Sequence, residues 1–175
     1  MNAKIKPARI IFTGYRACGK STVGQGLAAR LGWDFIDSDA LITGEYGEIS
    51  ALVAARGWPR FREIEEQVLF ELAGRREAMI ATGGGAVIHE KAWARLRRGS
   101  LVVWLAADPA TVRRRLCADP ASAGQRPGLT GKSADDEIEE VMAQREPIYR
   151  QGSDLKIDAA RPIDEIVDEI IKHLA

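Results

Sequence analysis

The sequence predicts an α/β fold in which helices cover both faces of one parallel sheet of about five strands. Five short apolar runs alternate with helical patterns along the chain, at residues 9–13, 33–37, 79–82, 101–106 and 155–158. Several of these runs are apolar without alternation, as expected for parallel strands that are buried on both faces. Strands that alternate with helices build right-handed βαβ units, so we expect a three-layer α/β/α sandwich.

The helices between these runs are predicted from apolar repeats and start signals. Two repeats each trace one buried helix face: Val23, Leu27 and Leu31, then Phe61, Ile64, Val68, Leu69 and Leu72. Asp108 followed by Pro109 is typical of an N-cap and a first helical position. Ser133 marks the start of a further helix that buries Ile138, and Pro162 marks the start of the last one.

Composition and charge exclude several classes of function. The chain has 175 residues, with 25 Lys and Arg against 25 Asp and Glu, whereas nucleic-acid-binding proteins usually carry a basic excess. The longest apolar run, residues 101–107, is far shorter than the roughly 20 residues that cross a bilayer. No apolar region follows Lys4 and Lys6, and Cys18 and Cys117 make no disulfide framework. We therefore expect one cytoplasmic domain, residues 1–175, with no nucleic-acid or membrane partner.

Residues 14–21, GYRACGKS, fit the P-loop pattern G-x-x-x-x-G-K-[ST] at every fixed position, between a predicted strand and a predicted helix. Backbone N–H groups of such a loop, with the helix N-terminus, bind phosphate oxygens. Lys20 would reach the β- and γ-phosphates, and Ser21 would give one oxygen to Mg²⁺. The alternative is a glycine-rich turn that only joins strand to helix. The motif predicts a bound nucleoside triphosphate but does not by itself predict a kinase.

Two carboxylates follow the second predicted strand. If the backbone stays extended there, Asp37 and Asp39 point the same way, toward the crevice at the carboxyl ends of the strands. One carboxylate could hold Mg²⁺ while the other orients or deprotonates a hydroxyl nucleophile. An acidic N-cap for the next helix is the alternative.

Three further features could serve a ligand. Residues 82–85, TGGG, follow at the end of the third predicted strand. Because glycine has no Cβ atom, these residues suit either the close approach of a ligand or a flexible turn. Arg62 and Arg145 lie on or beside inward helix faces, where each needs an internal acid or a ligand carboxylate as partner. Residues 118–132, rich in Gly and Pro, predict a long loop that is functional or mobile.

Six motifs, in order and at compatible spacing, resemble those of shikimate kinases, P-loop kinases related to the nucleoside-monophosphate kinases: GYRACGKST, FIDSD, FREIE, ATGGGAV, QRPGLTGK and QREPIYR. The resemblance covers residues 9 to about 171. It implies the sheet order 2-3-1-4-5, a substrate-binding region near residues 40–62 and a mobile lid near 118–132. It also implies transfer of the ATP γ-phosphate to the 3-hydroxyl of shikimate, in the shikimate pathway to chorismate and aromatic amino acids.

The resemblance implies a role for each residue that matches a motif. The residues expected to bind ATP are Ala17, Cys18, Gly19, Lys20, Ser21, Thr22, Arg114, Arg126 and Pro162, of which Arg114 and Pro162 would flank the adenine. Those expected to bind shikimate are Asp39, Arg62, Gly84 and Arg145. Ser21 and Asp37 would hold Mg²⁺, and Asp39 would be the general base. Lys20 and Arg126 would stabilise the phosphoryl group during transfer.

Two alternatives to a shikimate kinase are a kinase of another small hydroxy acid such as gluconate and a non-catalytic ligand sensor of the same fold. The arginines and the triple glycine favour shikimate, and the presence of Lys20, Asp39 and Arg126 favours an enzyme. Many family members have glycine where Ala17 stands, and because alanine disfavours positive φ we expect that this position does not need it. We expect Mg²⁺ as cofactor, ATP and shikimate as substrates, and a monomer.

Overall fold

Five strands form a parallel sheet in the order β2-β3-β1-β4-β5. The computed structural model describes residues 6–118 and 134–174, with these strands: β1 Arg9–Thr13, β2 Asp34–Asp37, β3 Ala78–Ala81, β4 Ser100–Ala106 and β5 Leu155–Asp158. All neighbouring strands run parallel. The predicted fold class and strand order are confirmed.

Helices connect these strands throughout the described chain: α1 Lys20–Leu31, α2 Ser38–Tyr46, α3 Ile49–Leu72, a 3₁₀ turn at Ala86–Ile88, α4 Glu90–Arg97, α5 Pro109–Ala118, α6 Ala134–Gly152 and α7 Ile163–Leu174. Two of the predicted start signals act as expected. Asp108 Oδ1 accepts a hydrogen bond from the Thr111 N–H at 2.8 Å, and the Pro162 carbonyl accepts one from the Ile166 N–H at 3.2 Å.

The sheet is buried on both faces, which explains why its strands do not alternate in sequence. In β1, Ile10 and Phe12 face one apolar cluster and Ile11 faces another, and all three are fully buried. The Ile11 cluster is completed by α3 and α4, whereas the other cluster is completed by α1 and α7. Helices on both sides of the sheet give the predicted three layers.

The third helix is longer than predicted and is broken. It runs from Ile49 to Leu72, although the apolar repeat predicted only the part from residue 61 onward. Gly57 interrupts it with φ 78° and ψ 165°, two residues before Pro59. The break separates residues 49–56 from the part of the helix that carries Arg62.

Several expectations fall outside the described residues. The predicted lid, residues 118–132 with Arg126, lies outside them except for Ala118, which ends α5. The predicted helix start at Ser133 also lies outside them. In the ranges 6–118 and 134–174, no helix combines the length and the apolar character needed to cross a membrane.

Candidate active site

A cleft of about 890 Å³ lies at the carboxyl ends of the strands, where open α/β sheets bind ligands. Residues 16–23, from the loop after β1 and the start of α1, form its floor. Asp37, Asp39 and Gly84 line one side, and Arg115 and Ala159 line another. The fold therefore brings the predicted phosphate loop, both carboxylates and the glycine turn to one cavity.

The phosphate loop turns through three residues with positive φ: Gly14 at 135°, Ala17 at 59° and Gly19 at 93°. A Cβ on Gly14 would lie 2.5 Å from the Leu105 carbonyl oxygen, so only glycine fits there. The expectation that position 17 does not need positive φ is wrong. A loop that curls its N–H groups toward one point requires such angles, and here an alanine adopts one.

Lys20 lies inside the curve of this loop. Its Nζ donates to the carbonyl oxygens of Gly14 at 3.0 Å and Tyr15 at 2.8 Å. Cys18 is 1% exposed and its side chain belongs to the core, so only its backbone can face a nucleotide. Lys20 is thus placed at the loop where phosphate oxygens are predicted to bind.

Ser21 and Asp37 form a pair of oxygen donors beside the loop. Ser21 Oγ donates to Asp37 Oδ2 at 2.6 Å. The other carboxylate oxygen, Oδ1, accepts from the N–H groups of Asp39 at 2.9 Å and Ala40 at 3.3 Å, so Asp37 is the N-cap of α2. A hydroxyl and a carboxylate at a phosphate site are donors that Mg²⁺ prefers, and these residues fit that ion.

Asp39 reaches the cleft by a different route from the one predicted. The backbone does not stay extended after β2, because α2 begins at Ser38. Asp39 therefore stands in the first helical turn, where it lines the cleft. Ser38 between the two acids is buried, and its Oγ accepts a hydrogen bond from the Gly83 N–H at 3.0 Å.

The glycine turn after β3 is closely packed, which argues against the alternative of a flexible turn. Residues 82–85 are all buried. A Cβ on Gly84 would lie 3.3 Å from the Gly14 carbonyl oxygen, and one on Gly85 would overlap the Arg62 guanidinium. Tyr149 donates its hydroxyl to the Gly84 carbonyl at 2.6 Å. The lack of side chains at these glycines therefore lets neighbouring groups approach the backbone closely.

Arg62 pairs with an internal acid, which is one of the two kinds of partner that the sequence allowed. Its Nη1 donates to Oε2 of Glu65, which is 1% exposed. His89 Nε2 lies 2.9 Å from the same oxygen. The Arg62 guanidinium also lies 5.2 Å from the centre of the Trp58 ring, which adds a cation–π contact. These neighbours hold Arg62 against Gly85 at the glycine turn.

Arg145 approaches the same turn from α6. Its Nη1 would lie 3.6 Å from a Cβ on Gly84. Burial raises the pKa of the nearby Tyr149 hydroxyl, and the positive charge of Arg145 only partly offsets this shift. The two predicted arginines thus lie against neighbouring glycines, which suits binding of a ligand carboxylate.

The side of the cleft formed by α5 and the end of β5 contains Arg115, which the sequence prediction missed. Its guanidinium donates to the carbonyl oxygens of Ala17 at 3.2 Å and Ala159 at 2.6 Å. Arg114 is exposed and bonds to Thr111 Oγ1 at 3.4 Å; neither it nor the exposed Pro162 lines the cleft. The signal was available, because position 115 follows the buried Val112 by three residues and shares its helix face.

The sequence patterns also did not identify Ser38, Glu65, His89 and Tyr149 as site residues. Ser38 and Tyr149 bond to the glycine turn across 45 and 65 residues of sequence, and His89 contacts Glu65 across 24 residues. Glu65 itself pairs with Arg62 at a spacing of three residues. The helical spacing of Arg62 and Glu65 could have revealed that pair. No local pattern could have revealed the others.

The family model and the sequence relatives point to one family. The family model for shikimate kinase matches residues 16–175. The shikimate kinase of Nitratidesulfovibrio vulgaris is 44% identical over 168 residues, which cover 95% of each chain. That of Rhodopirellula baltica is 39% identical over 98% of this chain and 92% of its own. A solved structure of the Acinetobacter baumannii shikimate kinase in complex with shikimate superposes with a TM-score of 0.88 at 28% identity, covering 97% of this chain and 94% of that one.

Proposed function

This chain belongs to the shikimate kinase family, and on that premise we propose that it transfers the γ-phosphate of ATP to the 3-hydroxyl of shikimate. The observation that carries the proposal is the convergence of a complete phosphate loop, Asp39 and Gly84 on one cleft. Arg62 and Arg145 do not line the cleft themselves but lie against the glycine turn, of which Gly84 is a part. The substrate is inferred from the family, and the site of this chain contains residues whose chemistry matches the carboxylate and the hydroxyl groups of shikimate.

The carboxylate of shikimate would bind at the glycine turn. Arg62 and Arg145 reach that turn from α3 and α6, and the Gly84 backbone completes the contact. Two guanidinium groups and a backbone N–H can satisfy both carboxylate oxygens with geometric specificity. This end of the substrate would then be fixed, leaving its hydroxyls near Asp39.

The phosphates of ATP would bind in the loop of residues 14–19 and at the N-terminus of α1. Lys20 would exchange its two carbonyl contacts for phosphate oxygens. Ser21 and Asp37 would hold Mg²⁺, which when bound neutralises charge on the phosphates. Arg115 and Ala159 would border the base, alongside the predicted contacts of Arg114 and Pro162, which stay predictions.

In the transfer step, the 3-hydroxyl oxygen forms a bond to the γ-phosphorus as the bond to the bridging β-γ oxygen breaks. ADP leaves with that electron pair, and the hydroxyl proton passes to the Asp39 carboxylate. Lys20 stabilises the charge on the equatorial oxygens. Arg126, which the family pattern places at the same phosphate, lies outside the described residues and stays a prediction.

We also propose that the enzyme is a cytoplasmic monomer. Both cysteines are free, Cys18 within the core and Cys117 on the surface, which suits a reducing compartment.

The proposal is tested by ADP release from ATP and Mg²⁺ with a panel of hydroxy acids that includes shikimate and gluconate. We expect release to depend on shikimate and to be lost in Asp39→Asn. Equal release with gluconate would favour the broader hydroxy-acid kinase. Binding of both ligands without release would favour a sensor.

A further inference from the structure

We propose that Tyr149 is a positioning residue: its hydroxyl, together with that of Ser38, fixes the glycine turn that binds the carboxylate of shikimate. The inference rests on the proposed function and deepens it, because it identifies what holds the carboxylate site in shape.

The first step is the bond itself. Tyr149 Oη donates to the Gly84 carbonyl oxygen at 2.6 Å, and the tyrosine is 2% exposed, so water does not compete for either group. Burial raises the pKa of Tyr149, and the hydroxyl therefore keeps its proton and remains a donor at the pH of kinase assays.

The second step is that the turn needs external support. Glycine has no strong preference for one backbone conformation, so three in a row do not define a shape by themselves. The Gly83 N–H donates to Ser38 Oγ at 3.0 Å, and the Gly83 carbonyl accepts from the Ala86 N–H at 3.0 Å. With the bond from Tyr149, three hydrogen bonds hold successive peptides of the turn.

The third step links the bond to the substrate. Tyr149 follows Arg145 by four residues on α6, so both side chains leave the same helix face. Both reach Gly84, since a Cβ there would lie 3.5 Å from the Tyr149 oxygen and 3.6 Å from Arg145 Nη1. The Trp104 ring, 5.9 Å away between centroids, packs beside the tyrosine ring. The tyrosine thus sets the distance between the arginine and the backbone that bind one carboxylate.

The test is Tyr149→Phe, which keeps the ring and its packing on Trp104 while removing the hydroxyl. We expect the KM for shikimate to rise roughly five- to fiftyfold, the range for a buried carbonyl left without a donor, and the KM for ATP to change less than about twofold. Binding of the methyl ester of shikimate, which lacks the carboxylate charge, should weaken much less. A merely structural role would affect both ligands alike.

The matched control is Ser153→Ala. Ser153 Oγ donates to the Tyr149 main-chain oxygen at 2.7 Å, at the end of α6 and away from the cleft, so this variant should keep both KM values. Ser38→Ala loosens the turn from the other side and should also raise the shikimate KM.

Unchanged shikimate KM in folded Tyr149→Phe, or equal losses for shikimate and its ester, would overturn the inference. If Tyr149→Phe did not fold, an unchanged shikimate KM in Ser38→Ala would overturn it instead. A wild-type chain without shikimate-dependent ADP release would reject the proposed function itself, which keeps the two failures distinct.

Discussion

Ala17 carries a backbone strain within the phosphate loop. Its φ of 59° lies in the left-handed region, which costs an L-residue roughly 1–2 kcal/mol. The family resemblance places glycine at this position in many members, and the geometry supplies the reason. The loop turns at this position whichever residue is present, so the strain is confined to residue 17.

Ala17→Gly should therefore raise the free energy of unfolding by up to about 1 kcal/mol, since relief of strain exceeds the added chain entropy. Urea unfolding measures it. Ala29→Gly is the matched control: it changes an exposed position within α1 and should lower stability by about 1 kcal/mol. A loss of stability in Ala17→Gly would show that the alanine is not strained.

Arg145 should be sensitive to a change that keeps its charge. Arg145→Lys loses the planar fork, and we expect the free energy of shikimate binding to weaken by about 1.5–3 kcal/mol while ATP affinity stays unchanged. Titration of each ligand measures this. Arg150→Lys, at an exposed position on the same helix, should leave both affinities intact. Unchanged shikimate affinity in Arg145→Lys would assign Arg145 a structural role.

At the scale of elements, the start of α2 divides the work of the two carboxylates. Asp37 both caps the helix and contacts Ser21, whereas Asp39 lies in the first turn of the helix and lines the cleft. A strand that ends directly in a helix N-terminus thus places one acid at the phosphate loop and the other in the cleft beside it.

Asp39→Asn should keep nucleotide binding and lower turnover roughly a hundredfold or more, because it removes the proton acceptor. Asp37→Asn should mainly raise the Mg²⁺ concentration that the enzyme needs, since asparagine still caps the helix but lacks the charge. Turnover against Mg²⁺ concentration measures both. Identical profiles for the two variants would contradict the division of roles.

The strands and most helix faces were predictable because burial of both sheet faces and a period of 3.6 residues leave local patterns. The start of α2 was foreseen only as the alternative, an acidic N-cap, because the sequence does not show whether the backbone stays extended after β2; the structure has that cap at Asp37. In the site, the motifs identified Lys20, Asp37 and Arg62. The hydrogen bond between Tyr149 and Gly84 joins residues that are 65 positions apart in the sequence, and local residue spacing does not reveal it.

At the scale of the molecule, the strand order separates the segments to which the two substrates are proposed to bind. The phosphate loop follows β1 in the middle of the sheet, the acids and the glycine turn follow β2 and β3 on one side, and Ala159 follows β5 on the other. In the proposed binding mode, the acceptor and the nucleotide base would therefore lie on opposite sides of the phosphates. This arrangement lets one cleft align a hydroxyl with the γ-phosphate.

The most direct measurement of this account is the identity of the product formed from ATP, Mg²⁺ and shikimate, by mass spectrometry and ³¹P NMR. We predict one shikimate monophosphate, esterified at the 3-hydroxyl, for each ADP released, and almost none with Lys20→Ala, which should slow turnover roughly a hundredfold or more. ADP released without phosphorylated shikimate, or an ester at another hydroxyl, would contradict it.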